Sequence, residues 1–177
     1  MFVNAKRMAF LGLLLACTTI LVILSGILEF NTIFLLAAAS FGVGIAIRES
    51  GIRLGFGFYV ASILISFILA PNKLYCITYG AMALYIFLIE FAWEKLANTT
   101  KQINRNLTFW VIKYVCFNVM YLPIIILFPK LIYPGEIKPI FFAGIILGGQ
   151  VFLYVYDRAY EYFQKSIWGK FRGRFTL

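Results

Sequence analysis

Long apolar stretches constrain this chain more than any other feature of its sequence. The first, residues 8–28, contains no charged residue. At 1.5 Å per residue, about 20 such residues cross the ~30 Å hydrocarbon core of a bilayer as a helix. Five further stretches follow, at residues 32–47, 54–70, 74–93, 107–128 and 139–156.

Composition agrees with this pattern. Hydrophobic residues make up 63% of the 177 residues, whereas soluble domains contain about 45–50%. A soluble fold of this size could not bury so much apolar surface, so lipid must be the solvent for most of the chain. The sequence therefore predicts an all-α, polytopic membrane protein, with a six-helix transmembrane bundle over residues 1–156.

The distribution of basic residues predicts the orientation. Loops rich in Lys and Arg stay on the cytoplasmic side. With the N-terminus inside, only Lys73, Lys130 and Lys138 of the 16 Lys and Arg residues lie outside. We therefore expect an even number of spans, with the N- and C-termini cytoplasmic.

Residues 157–177 form a basic, aromatic tail. At helical spacing one side of this segment carries five apolar residues: Tyr160, Phe163, Ile167, Trp168 and Phe171. This pattern predicts an interfacial helix on the anionic lipids of the inner leaflet. A docking site for a cytoplasmic partner is the alternative.

Small residues spaced four apart mark helix faces that allow close packing. Gly12 and Ala16 form such a face on the first span. Two other spans carry Ala38, Gly42, Ala46, Gly144 and Gly148. Such faces favour close helix–helix packing in membranes. They serve either packing inside the bundle or, if turned outward, docking of a partner.

Two ionisable residues lie at membrane depth. Glu90 is one turn from the inner end of the fourth span, and Lys113 is about two turns into the fifth. Since antiparallel spans place them at similar depth, the sequence predicts a membrane ion pair between Glu90 and Lys113. Ion or proton coupling, and snorkelling of each side chain to the interface, are the alternatives.

Polar and aromatic residues of the outer half are candidates for a small-molecule pocket. Aromatic walls with a few polar groups are typical of such pockets. An interfacial belt of aromatic rings is the alternative. The candidate substrate-binding residues are Glu29, Asn31, Asn72, Tyr75, Tyr79, Asn118, Tyr121 and Gln150.

Motifs for catalysis are missing from the sequence. It contains no histidine, and its cysteines, Cys17, Cys76 and Cys116, are isolated in apolar stretches. It also contains no glycine-rich phosphate loop. We therefore expect no enzyme activity, cofactor or metal site. The net charge is +9, but most of the basic residues lie on the predicted inner side of the membrane. Membrane orientation therefore explains the charge, which argues against a nucleic-acid partner.

The N-terminal half carries a family resemblance. Its second span reads Phe41-Gly-Val-Gly-Ile-Ala, and the third begins Gly51-Ile-Arg-Leu-Gly-Phe-Gly. With the basic start and with Gly12 and Ala16, residues 5–95 resemble the substrate-capture (S) components of energy-coupling-factor (ECF) vitamin transporters. The family often has Ala at both small positions, so Gly12 is a departure from its pattern.

This resemblance implies a function in micronutrient uptake across a bacterial plasma membrane. It implies that Gly12 and Ala16 dock on a transmembrane coupling protein, which cytoplasmic ATPases drive. It also implies that Glu29, Asn31 and Tyr79 line or cap a substrate pocket that opens outward. Two other hypotheses are a membrane assembly or accessory protein without transport activity, and a small ion-coupled transporter that uses Glu90.

Overall fold

The structure is a computed structural model and describes residues 5–98, 104–127 and 139–172. Within these ranges the backbone is almost entirely helical, without a strand. The long helices are α1 (Ala5–Ser25), α2 (Thr32–Ser50), α3 (Ile52–Leu69), α4 (Lys73–Ala97), α5 (Arg105–Leu127) and α6 (Pro139–Tyr162). A 3₁₀ turn (Glu29–Asn31) precedes α2, and a π-helical turn (Phe163–Trp168) and the short helix α7 (Gly169–Arg172) follow α6.

Each long helix overlaps one of the apolar stretches that the sequence predicted. Helices α1 to α5 are long and apolar enough to cross a membrane. The prediction of an all-α membrane protein is confirmed at this level. We call the end of the bundle at which α1, α3 and α5 begin the inner end, and the opposite end the outer end.

Helix α2 lies at the centre of the bundle and packs against α1, α3 and α4. Its residues from Ala39 to Ile47 are all buried. Small side chains allow this close packing: a Cβ atom at Gly42 would touch Thr18 of α1, and one at Gly44 would overlap the ring of Tyr160. The small-residue face of α2 therefore serves packing inside the bundle.

A single residue joins α2 to α3. Gly51 has a φ of +84°, a left-handed conformation that glycine adopts without strain. Its N–H still donates the helical hydrogen bond to the carbonyl of Ile47 at 2.7 Å, and its positive φ then turns the chain out of α2. This sharp turn holds Arg48, in the last turn of α2, at the inner end.

The chain after residue 156 departs from the prediction. Helix α6 continues without a break to Tyr162, six residues beyond the predicted end of the sixth span. Tyr160 is 2% exposed, and the ring of Phe163 lies 5.3 Å from that of Phe41. From their helical spacing these apolar residues were predicted to face lipid. In the structure they instead pack over the inner end of the bundle.

The last described turns also contact the bundle. The ring of Trp168 lies 5.7 Å from that of Phe10, and its Nε1 donates a hydrogen bond to Oε1 of Glu49 at 2.9 Å. Ile167 and Phe171 remain exposed. The described tail is therefore a strap across the inner end, with only part of its predicted apolar face open to lipid.

Candidate functional site: a charged cavity at the inner end

A cavity of about 660 Å³ lies at the inner end, within the size range of small-molecule sites. It is formed by the last turns of α2, α4 and α6, the first turns of α5, and the π-helical turn. Its polar lining consists of Arg48, Glu90, Asn106, Lys113, Glu161, Gln164 and Lys165. Its remaining walls are Ile89, Trp93, Phe109, Trp110 and Tyr160.

Glu90 is the centre of one polar cluster in this cavity. Its Oε1 accepts hydrogen bonds from Nε of Arg48 at 2.9 Å and from the Tyr160 hydroxyl at 2.6 Å. The Arg48 guanidinium also donates to Oε1 through Nη2. Nε2 of Gln164 donates to the Tyr160 hydroxyl at 3.2 Å. The cluster connects α2, α4 and α6, so the buried carboxylate is both charge-paired and hydrogen-bonded.

Lys113 is the centre of the second cluster. Its Nζ lies 2.8 Å from Oδ2 of Asp157 and 2.8 Å from Oε1 of Glu161. The Tyr85 hydroxyl donates to the other oxygen of Asp157 at 3.4 Å. These contacts connect α4, α5 and α6. Together they satisfy a lysine that is only 2% exposed.

Aromatic rings complete the surroundings of Lys113. Its Nζ lies 4.4 Å from the ring centroid of Phe109 and 5.2 Å from that of Trp110. A cation over a ring face is attracted by the negative charge of that face. The ammonium group therefore has favourable contacts on its carboxylate side and on its aromatic side.

The predicted Glu90–Lys113 pair is wrong. Both residues line the same cavity, but Glu90 pairs with Arg48, and Lys113 pairs with Asp157 and Glu161. The prediction considered only ion-pair partners on the neighbouring spans four and five. Arg48, in the last turn of α2, and the carboxylates that α6 brings in offer partners on two other helices.

Three predicted substrate-binding residues connect α5 to α6. Nε2 of Gln150 donates to Oδ1 of Asn118 at 2.9 Å. The Tyr121 hydroxyl donates to the carbonyl of Ile145 at 2.8 Å. Interhelical hydrogen bonds of this kind stabilise helix pairs in membranes. In this structure the three side chains serve helix packing.

The other predicted residues also lie apart from one another. Tyr79 is fully buried and donates to Oγ of Ser62 at 2.7 Å. Asn72 caps α4 by accepting from the N–H of Leu74 at 3.0 Å. Asn31 is exposed and Tyr75 is half-buried. The side chain of Glu29 lies outside the described part of the structure.

These residues do not share a described cavity. A second, apolar cavity of about 100 Å³ lies between α4, α5 and α6, and of the eight predicted residues only Tyr121 lines it. None of the eight lines the cavity at the inner end. Neither of these two cavities therefore brings the predicted residues together.

The small-residue faces differ in where they point. Gly12 and Ala16 of α1 are exposed, and a Cβ atom at Gly12 would meet nothing within 4 Å. Gly144 and Gly148 of α6 are exposed in the same way. Among the predicted small faces, those of α1 and α6 are thus open on the outside of the bundle, whereas Gly42 and Ala46 of α2 are buried.

Sequence reasoning missed the cavity residues on α6 and the π-helical turn. Tyr160 and Glu161 lie three and four residues after Asp157, which is beside the cavity, and four and three residues before Gln164, so all four lie on one side of a helix. That spacing was the available signal. Because the predicted sixth span ended at residue 156, these residues fell in the tail, and of the four only Tyr160 was assigned to the lipid-facing side.

The helical fold and the five apolar helices define an all-α protein built to cross a membrane. A search of protein-family models found no match for this chain, and neither did searches of curated proteins and of solved structures.

Proposed function

We propose that the protein is the substrate-binding subunit of an ECF-type micronutrient uptake transporter. In this proposal it captures a small molecule from outside a bacterial plasma membrane. It then docks on a coupling protein that separate cytoplasmic ATPases drive. The sequence contains no phosphate-binding loop of its own, so ATP acts through the partners.

The exposed small-residue face of α1 carries this proposal. Gly12 and Ala16 lie on the outside of the bundle, and no other part of the described chain covers them. In lipid the hydrophobic effect does not drive helices together, so close backbone approach and van der Waals contact do. A helix of a partner protein can approach α1 closely along this face.

The proposed topology places six crossings in the membrane, with α6 as the sixth. Helix α6 contains 24 residues, enough to cross a bilayer. With six crossings both termini are cytoplasmic, and the basic residues Lys6, Arg48 and Arg53 all lie at the inner end. This arrangement follows the positive-inside rule.

Docking is tested by purification from cells that also express the coupling protein and the two ATPases of the source organism. We expect the tagged wild-type protein to retain all three. The double variant Gly12→Leu/Ala16→Leu should lose them, because two leucines hold a partner helix away. Gly57→Leu is the matched control, since Gly57 is an exposed α3 glycine whose Cβ would also meet nothing within 4 Å.

Two results would contradict the proposal. One is a wild-type protein that retains neither the coupling protein nor the ATPases. The other is equal retention by the wild type and the double variant, provided that both are monodisperse after purification.

A further inference from the structure

The cavity at the inner end contains hydrogen-bond acceptors that the described protein leaves unused. Oε1 of Glu90 accepts all of the hydrogen bonds found for this side chain, from Arg48 and from Tyr160. Among the described residues, none donates to Oε2 of the same carboxylate. Half of a buried carboxylate's hydrogen-bonding capacity is therefore open at the cavity wall.

Gln164 supplies a second acceptor. The single hydroxyl proton of Tyr160 is donated to Glu90 at 2.6 Å, so Tyr160 can only accept from Gln164. The amide must therefore turn its NH₂ group to Tyr160, at 3.2 Å. Its oxygen is then left buried without a partner. Since Gln164 is 5% exposed, this unpaired oxygen is unfavourable unless a donor fills the site.

The backbone at Gln164 is also unusual. Residues Phe163–Trp168 form a π-helical turn, and such turns occur frequently at functional sites. This turn brings Gln164 and Lys165 together to the cavity.

Unused donors lie at the same cavity. Lys165 lines it and forms no salt bridge with a described residue. The Arg48 side chain is 40% exposed, and only its Nε and Nη2 donate to Glu90. The cavity thus offers acceptors and donors to a ligand at once.

The charged side chains of the described residues around the cavity balance one another. Three cationic side chains, Arg48, Lys113 and Lys165, line it. Three carboxylates, those of Glu90, Asp157 and Glu161, lie within or directly beside it. A ligand with a single charge would leave an uncompensated charge in a partly buried site, whereas a zwitterion would not.

We infer that this cavity binds a small zwitterion with an apolar part. The ammonium group of this ligand contacts Oε2 of Glu90 and Oε1 of Gln164. The anionic group of the ligand contacts Lys165 and Arg48. Its apolar part packs against the walls that include Trp93, whose ring lies 4.9 Å from that of Phe109. Free amino acids have this chemistry, and so does the ethanolamine headgroup of a phospholipid. The inference goes beyond the proposed function and does not depend on docking.

Binding is measured with the purified full-length protein in detergent, using tryptophan fluorescence, because Trp93 and Trp110 line the cavity. The probes are L-leucine and dihexanoyl-phosphatidylethanolamine. Butylamine, butyrate and dihexanoyl-phosphatidylglycerol are the comparisons with a single charge. We expect saturable binding of at least one zwitterion, about tenfold or more tighter than of any comparison. Saturation by leucine identifies a free metabolite, and saturation by the ethanolamine lipid alone identifies a headgroup site.

Two variants test the contacts. Gln164→Leu and Lys165→Met should each weaken binding of the zwitterion roughly five- to tenfold, as loss of one hydrogen bond or charge contact does. Lys170→Met is the matched control, since Lys170 is exposed and does not line the cavity. Lys165 is also exposed, so Lys165→Met keeps the test valid if Gln164→Leu fails to fold.

Three outcomes would overturn the inference. The first is no saturable binding of either zwitterion. The second is equal binding of the probes with a single charge. The third is wild-type affinity in every variant of Gln164 and Lys165 that folds.

Discussion

Lys113 and Asp157 form the most deeply buried of the described ion pairs, with side chains 2% and 1% exposed. Removing one partner of such a pair leaves an unpaired buried group and costs about 3–5 kcal/mol. Lys113→Met should therefore lower the thermal stability of the protein in detergent strongly. Lys170→Met, at an exposed position, should leave it unchanged.

A double-mutant cycle separates the pair from its surroundings. Lys113→Met/Asp157→Leu removes both charges, so its loss of stability should be smaller than the sum of the two single losses. Thermal unfolding of the four proteins, monitored by circular dichroism, measures this difference. Additive losses would mean that the two residues do not stabilise one another.

Gly44 gives a second prediction at the level of one residue. A Cβ atom there would overlap the ring of Tyr160, and such overpacking costs about 1–3 kcal/mol. Gly44→Ala should therefore lower the melting temperature, although alanine is the better helix former. Gly57→Ala, in open space, should keep or raise it. Equal effects of the two variants would contradict the packing of α6 on α2.

Of all the elements, the strap after α6 makes the contacts that are hardest to predict from the sequence. The Phe10–Trp168 ring contact and the Trp168–Glu49 hydrogen bond hold it against the bundle. Trp168→Ala should therefore increase amide hydrogen exchange over residues 163–172, because fewer contacts oppose local opening. Tyr162→Ala, at a side chain 67% exposed, is the control. Unchanged exchange in Trp168→Ala would contradict the described contacts.

The helices themselves were predictable because each apolar stretch has nearly the length that the bilayer requires. The ends were less predictable. Helix α4 continues to Ala97 and α6 to Tyr162, since polar residues remain helical when their side chains find partners. Asp157 does so by pairing with Lys113. The ion pairs between helices could not be predicted, because they join residues 42, 44 and 48 positions apart on helices whose contacts the sequence does not specify.

For the whole molecule, the proposed six-crossing topology predicts that both termini lie on the cytoplasmic side of the membrane. Single cysteines at Lys6 and Lys170, introduced into a chain whose native cysteines are replaced by serine, should react with a membrane-impermeant maleimide only after the cells are opened. A cysteine at Lys73, at the start of α4, should react in intact cells. Labelling of Lys6→Cys and Lys170→Cys from opposite sides would exclude an even number of crossings.

The central claim is that α1 presents its small face to a coupling protein, and site-specific photo-crosslinking tests it most directly. Ile20 continues the line of Gly12 and Ala16 by one turn and is 54% exposed. A benzoylphenylalanine at this position leaves both small residues intact. Leu64 of α3, 59% exposed, is the control position. The account predicts a covalent adduct with the coupling protein from position 20 and none from position 64, whereas no adduct at position 20, or equal adducts at both, would contradict it.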